Sequence, residues 1–465
     1  MRAANRWYTV QSLLLVLLAA GCKDVLDVHP VNEFDQSQAI STPGGARAAV
    51  AGMYDALQDF SYYGGQMAFF GDLGGDDVEH TGTFTTYRQI DQNNITSDNS
   101  SIEGMWDGLY RAIGRANIII EKVPGVAGLA TAERDDLLGQ AYFVRALSYH
   151  NLVKFWGDTA ASGLGVPVVL IPPPDISAAG LVTRATTGAV YAQIVSDLGD
   201  AESLMGSSTD AHRATLMAVH ALRARVYLYQ KNYAGAETEA EAVAAGGFSL
   251  APQYSDLFTP DGDDTPEDIF RLHFDAVDYS WEGYYYLPYE IQGRGEIAPS
   301  VSLIQAYAPG FNGSPGTFVT ADERGIWNIS FVDSTDGTTK YGSKWRTGIG
   351  AEDIHAFRLA DVLLIQAEAE ARQNKLGEAE ATLTPVRTRA GLPAAGLDTM
   401  SQANAILAVL QERRLELAME GDRWPDLVRT GRAVGVLGIA AFQTLFPIPL
   451  NELDVAPGLT QNPGY

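Results

Sequence analysis

Apolar residues recur along most of this chain at helical spacing. Between 187 and 204, Tyr191, Ile194, Val195 and Leu198 fall at i, i+3, i+4 and i+7. That pattern predicts one buried helical stripe, with Thr186 or Thr187 as its N-cap. Segment 213–245 reads as two helices broken near Lys231-Asn232, and a further pair begins near Ala360. Helices are also predicted at 137–155 and 403–419, with Ala-rich faces but no clean short partner. The chain is therefore mainly α.

Within 213–245, Ala224, Tyr227, Tyr233, Ala236, Ala240 and Val243 follow the small/large spacing of a tetratricopeptide helix pair. In that motif small residues let two helices approach and aromatics fill the gap. The closing proline is missing, and Phe248 stands in its place. Ala367, Leu376, Ala379, Leu383 and Val386 repeat the offsets, with Glu370 at the usual aromatic position. Long insertions at about 61–104, 157–183 and 251–350 interrupt these repeats, whereas solenoid repeats stack with short turns. The insertions are rich in Gly, Pro, Asp, Asn, Thr and aromatics and carry only short strand-like runs such as Val166–Ile171. Loops of that length in a compact protein are usually functional.

Composition narrows the classes. Among 465 residues, 46% are hydrophobic and 10% aromatic, which excludes wholesale disorder. Net charge is 32 − 57 = −25, and a surface that acidic argues against nucleic-acid binding and polybasic membrane docking. The single cysteine, Cys22, excludes an intramolecular disulfide framework and Cys-rich zinc sites. Its position is informative. Arg2 and Arg6 form a basic n-region, Leu13–Leu18 an apolar h-region and Ala19-Ala20-Gly21 a small-residue cleavage site. The eight apolar residues 13–20 fall well short of the roughly 20 needed to span a bilayer. LLAAGC resembles a bacterial lipobox, with Ala19 where leucine is commoner, so residues 1–21 are expected to be a signal peptide and Cys22 a lipidated anchor. Lys23-Asp24 resembles the charged export tag of surface lipoproteins.

Several dispersed segments resemble the SusD/RagB family. The most specific is ERRLELAMEGDRWPDLVRTG (412–431). Others are WDGLYRAIGRANIIIEKV (106–123), GQAYFVRALSYHNLVKFWGD (139–158) followed by GVPVVL (165–170), FRLADVLLIQAEAEAR (357–372) running into VRTRAGLP (386–393), and the ending LFPIPLNELDVAPGLTQNPGY (445–465). The resemblance implies a single SusD-like α-helical domain over 22–465, a place in the outer membrane facing the exterior, and partnership with a SusC-type TonB-dependent transporter. Such pairs capture and import oligosaccharides, or in some members peptides. A peptide-binding or tetratricopeptide-type adaptor is therefore the alternative, and a glycoside hydrolase a more distant one.

Candidate contacts follow from side-chain chemistry. In 412–431, Glu412, Arg413, Glu416, Glu420, Arg423, Asp426 and Arg429 alternate charge at helical spacing and read as a structural ion-pair network. The run YSWEGYYYLPY (279–289) carries the best ligand signal, because sugar C–H faces stack on aromatic rings. Alternation divides it into two faces, Tyr284 and Tyr286 against Tyr285, at least one of them core or subunit contact. Trp281, Tyr284, Tyr285 and Tyr289 are the expected glycan contacts, with Arg294 nearby as a donor. The acidic loop 71–77 reads as sugar-hydroxyl acceptors Asp72, Asp76 and Asp77, as a general acid/base pair, or as a solvated turn. PDGDDTPED (260–268) and VDSTDGTTK (332–340) contain oxygen ligands that a calcium ion could use, but they lack EF-hand spacing and read first as turns. The seven histidines form no HExxH and no i, i+4 pair. No catalytic residue, metal site or cofactor is expected from the sequence.

Overall fold

The computed structural model describes residues 40–171, 182–259, 264–334, 337–348 and 350–465. Cys22, the signal segment 1–21, Lys23-Asp24 and parts of 260–268 and 332–340 lie outside them. Among the described residues, no helix is long and apolar enough to cross a membrane.

The predicted periodicities become helices in the predicted register. Helix Thr187–Leu204 buries Tyr191, Ile194 and Leu198, and the Thr186 hydroxyl accepts from the N–H of Ala189 at 3.2 Å. Segment 213–245 folds as Leu216–Tyr229 and Tyr233–Ala244. The break is made by Lys231 in the left-handed region (φ 61°) and by the Asn232 side chain, which accepts from the N–H of Gly235 at 3.2 Å. Ala224, Ala236 and Ala240 are fully buried, so the two backbones can close on each other. The second pair is Leu359–Arg372 with Leu376–Arg389. Helix Thr131–Trp156 is longer than expected at its start. Gln402–Glu416 stops before residue 419, since Met419 (φ 64°) and Gly421 (φ 85°) turn the chain away.

Each long helix packs on the next one in the chain, from Pro43–Gln58 through Ser100–Lys122, Thr131–Trp156 and Thr187–Leu204 to the two pairs. Tyr233–Ala244 lies directly against Leu359–Arg372, so the stack continues across the 251–350 insertion as if it were absent. The insertion is held by short antiparallel ladders. Val78–His80 pairs with Ile297–Pro299, Asp268–Leu272 with Ile354–Arg358, and Ile329–Ser334 with Gly337–Gly342.

Two expectations are corrected. Segment 61–104 contains helices Gln66–Leu73 and Thr85–Asp91 and the start of Ser100–Lys122. Its glycine at 71 serves close approach, not a turn, because a Cβ there would lie 2.0 Å from the carbonyl oxygen of Gly421. The run Val166–Ile171 joins no ladder. The Tyr149 hydroxyl takes the neighbour's part, accepting from Val169 N–H at 2.7 Å and donating to Val169 C=O at 2.9 Å.

The charged signature at 412–431 turns inward. Glu416, fully buried, accepts from Arg358 (2.6 Å) and Arg324 (3.1 Å) and also pairs with Arg389. Burial pushes its carboxyl up, but the three guanidiniums outweigh that and hold it far below the usual range. Glu420 pairs with Arg358 (2.8 Å) and Lys344 (2.5 Å), and Arg413 joins Asp361 (3.0 Å) to Asp426 (3.1 Å). The network ties the insertion (Arg324, Lys344) to the second helix pair through Arg358 and Arg389, and Arg225 of the first pair joins Asp361 at 2.6 Å.

Candidate functional site

The aromatic run is positioned by backbone bonds on both sides. The N–H of Trp281 donates to Gly64 C=O and that of Ser280 to Gly350 C=O, each at 2.8 Å. Residues Glu282–Tyr286 then form a single helical turn. A helix advances about 100° per residue, so the two-face alternation of a strand does not apply. Tyr285 and Tyr286 both turn inward. Tyr285 stacks on Phe69 at 4.9 Å and Tyr286 on Trp345 at 5.8 Å. Tyr285 is thus a core residue. Trp281 and Tyr284 stay half-buried, 5.7 Å apart edge to face, while Tyr289 is 87% exposed on the following turn. Glu282 is fully buried beside Asp72; burial, with Asp72 adding to it, pushes its carboxyl well above the usual range.

The expected acidic acceptors are placed elsewhere. Asp72 is fully buried and its Oδ2 accepts from the N–H of Gly421 at 2.8 Å. Asp77 is buried against Arg414 Nε at 2.6 Å. Asp76 lies between Arg423 (2.5 Å) and Arg414 (3.1 Å). These three carboxylates fasten 71–77 to the 412–431 segment, and the two oxygens left without a partner, Asp72 Oδ1 and Asp77 Oδ2, are buried away from solvent. Arg294 is partly exposed, lies over the Phe84 ring at 4.3 Å and pairs with Glu296 at 2.6 Å.

Trp281 instead opens onto a depression of about 270 Å³. One wall is the C-terminal end of helix Pro43–Gln58 and the residues after it, with Asp55, Gln58, Asp59 and Phe60. The second is Arg111 and Arg115 of helix Ser100–Lys122, and the third is the loop Val277-Asp278-Tyr279. Tyr279 and Trp281 lie with ring centroids 5.0 Å apart, and Phe60 supports Trp281 from behind at 5.5 Å. Arg111 pairs with Asp59 at 2.6 Å and Arg115 with Asp55 at 2.8 Å. Burial raises Asp59, but Ser61 and Arg111 outweigh it and keep the carboxyl below its ordinary value. Gln58 Nε2 donates to Asp278 Oδ2 at 3.2 Å. Two cations face three carboxylates, so the walls carry 2 − 3 = −1 with donors and acceptors interleaved.

Of the residues predicted from sequence, only Trp281 lines this depression, and Tyr284 flanks it through Trp281. Tyr279 opens the aromatic run that carries the ligand signal, whereas Asp55, Asp59, Arg111 and Arg115 lie outside it. The available signal was the i, i+4 spacing of Asp55/Asp59 at the end of one helix segment and Arg111/Arg115 on another, two like-charged pairs of which only Arg111 has an acidic residue, Asp107, at helical spacing on its own helix. A larger groove of about 510 Å³ lies on the far side of Arg111, lined by Trp106, Tyr110 and Glu452. There Trp106 is buried and the Tyr110 hydroxyl donates to Pro167 C=O at 2.8 Å.

Residues 312–440 match the model of the SusD family, and residues 26–228 match a model described as "Starch-binding associating with outer membrane". The chain belongs to the SusD/RagB family. A SusD-like protein of Formosa agariphila is 27% identical over 517 residues, covering 99% of this chain and 100% of its own. The starch-binding protein SusD of Bacteroides thetaiotaomicron is 30% identical over 126 residues, 24% of this chain and 22% of SusD. A SusD superfamily crystal structure from Bacteroides vulgatus superposes with TM-score 0.77 at 22% identity, over 91% of this chain and 99% of that one. A laminarin-binding SusD-like protein superposes with TM-score 0.75 at 23% identity, over 91% and 100%. The mostly helical SusD fold is thus shared.

Proposed function

We propose that this SusD/RagB member binds a neutral oligosaccharide in the Trp281 depression and delivers it to a SusC-type TonB-dependent transporter, anchored to the outer membrane through lipidated Cys22. The observation that carries the reading is the Tyr279–Trp281 ring pair facing the Arg111–Asp59 and Arg115–Asp55 ion pairs. Rings supply surface for sugar C–H groups, and charged groups held in pairs offer strong, fixed donors and acceptors to hydroxyls. The near-balanced local charge suits a neutral ligand better than a phosphorylated or strongly acidic one. Relatives described as starch-binding, laminarin-binding and surface glycan-binding support the ligand class. The family description "associating with outer membrane" supports the location.

Binding without chemistry is expected. Asp55 and Asp59 are each engaged by an arginine, and Asp59 is held below its ordinary carboxyl value, which suits it as an acceptor and not as a proton donor to a leaving group. The test is calorimetry against maltooligosaccharides, laminarin oligosaccharides and a short peptide library, followed by chromatography of the glycans. Saturable glycan binding with no product release is the expected result. Peptide binding alone would move the protein to the RagB side of the family, and released product would make it a hydrolase.

A further inference from the structure

A cluster next to the depression has no part in the glycan reading. It draws on three distant segments: His212 lies before helix Leu216–Tyr229, His273 just after strand Asp268–Leu272, and Asp353 just before strand Ile354–Arg358. A single oxygen, Asp353 Oδ2, stands 3.5 Å from His212 Nε2 and 3.4 Å from His273 Nδ1. The three donor atoms all lie within 4.8 Å of one another. An ion bound tetrahedrally at about 2.0–2.1 Å separates its ligand atoms by roughly 3.3–3.4 Å, so two edges already have the spacing of a zinc site. We propose that His212, His273 and Asp353 form a binding site for a Zn²⁺-like divalent transition-metal ion.

The surroundings are those of an oriented ligand set. Asp353 Oδ1 accepts from the N–H of Phe274 at 2.7 Å and also lies 3.1 Å from His273 Nδ1, which fixes the carboxylate, while Oδ2 stands within 3.5 Å of both imidazoles. Gln58 Nε2 donates to His273 C=O at 2.6 Å, and Asp210 stands 3.7 Å from Nδ1 of His212, the nitrogen not needed for the metal. His273 is exposed, leaving the fourth position open to solvent. Two imidazoles and one carboxylate select a late first-row ion over calcium or magnesium.

Arg271 already brings positive charge to this point. Its Nε donates to His212 Nε2 at 2.9 Å and lies 3.2 Å from Asp353 Oδ2, so two of the three ligand lone pairs converge on one cation. A metal ion must displace that nitrogen. The guanidinium keeps Asp264 (2.5 Å) and Asp268 (3.6 Å) after displacement, so the exchange strands no buried charge. The chain's net charge of −25 favours the added cation. Gln58, which also holds Asp278, connects the site to the base of the loop carrying Tyr279.

The test is calorimetric titration of the untagged full-length chain, stripped with chelator, with ZnCl₂. One ion per chain with Kd at or below about 10 μM is expected, and His273→Ala and His212→Ala should each weaken it at least about tenfold. His273 is exposed, so its variant folds, which circular dichroism checks. His220→Ala, removing a histidine paired with Glu239 at 2.6 Å, should bind like the parent. No saturable binding below about 100 μM, or unchanged affinity in His273→Ala, overturns the proposal. The readout uses no glycan, so its failure leaves the depression's function untouched.

Discussion

The N–H of Gly421 donates to Oδ2 of Asp72 at 2.8 Å, joining residues 349 positions apart inside the protein. The contact explains why glycines stand on both sides of it. A Cβ on Gly71 would meet Gly421 O at 2.0 Å, and one on Gly421 would meet Ala68 Cα at 2.6 Å while φ there is 85°. Neither neighbour is a flexible side-chain tip, so backbone must move. Gly71→Ala is expected to cost about 1–3 kcal/mol or more, read as a lower midpoint in urea unfolding. An unchanged midpoint would mean the two segments are not in contact.

Glu416 serves three guanidiniums at once, with no solvent to replace it. Truncating one member of a buried ion network leaves uncompensated charge and typically costs about 3–5 kcal/mol. Glu416→Ala should therefore unfold at markedly lower denaturant, whereas Glu133→Ala, losing only an exposed pair with Arg47, should change stability little. Equal effects would contradict the buried network.

Acid should act through the same network. Burial raises the Asp426 carboxyl, but Arg413 and Arg429 outweigh it and pull it down to about 2. A depressed carboxyl contributes stability that is present above its unfolded value near 3.8 and is lost as pH falls through its folded value. For Asp426 that contribution is about 2 kcal/mol, so the melting-temperature gap between parent and Asp426→Asn should be full at pH 6 and shrink between pH 4 and 2. A gap independent of pH would show that the ion pair is not its cause.

At the depression, the ring with the fewest other contacts gives the cleanest variant. Tyr279 is 40% exposed, so Tyr279→Ala should weaken glycan binding about tenfold with little change in melting temperature. Trp281→Ala should lose both affinity and stability, because the same ring packs on Phe60 and Tyr285. Tyr289→Ala, whose ring lies outside the depression, should bind within about twofold of the parent. Calorimetry on the three variants separates them, and full affinity in Tyr279→Ala would place the ligand elsewhere.

The proposed lipid anchor at Cys22 is tested apart from the fold. Cys22→Ser should leave the melting temperature unchanged and shift the protein from the membrane fraction to the soluble one. Retention of the variant in the membrane fraction would show attachment by other means.

What the sequence by itself determined were features set by local chemistry. Helical stripes and small-residue faces fixed the helix pairs, because periodic burial needs no knowledge of the partner. The break at Lys231-Asn232 and the cap at Thr186 were legible for the same reason. The structural role of Glu416 and Glu420 was legible as well, but their partners, Arg324, Lys344, Arg358 and Arg389, come from distant segments and not from the arginines at helical spacing. Tertiary structure decided everything that depends on long-range approach. It carried Asp72, Asp76 and Asp77 inward to meet Gly421, Arg414 and Arg423, turning an apparent sugar-binding loop into a structural fastening. It turned residues Glu282–Tyr286 by about 100° per residue instead of 180°, placing Tyr285 in the core, and set Tyr289 in solvent on the separate turn after Pro288. It also brought Arg111 to Asp59, and His212 to His273 and Asp353, across 52 to 141 positions of chain. No periodicity encodes such meetings, because packing the helices fixes which distant polar side chains end up side by side.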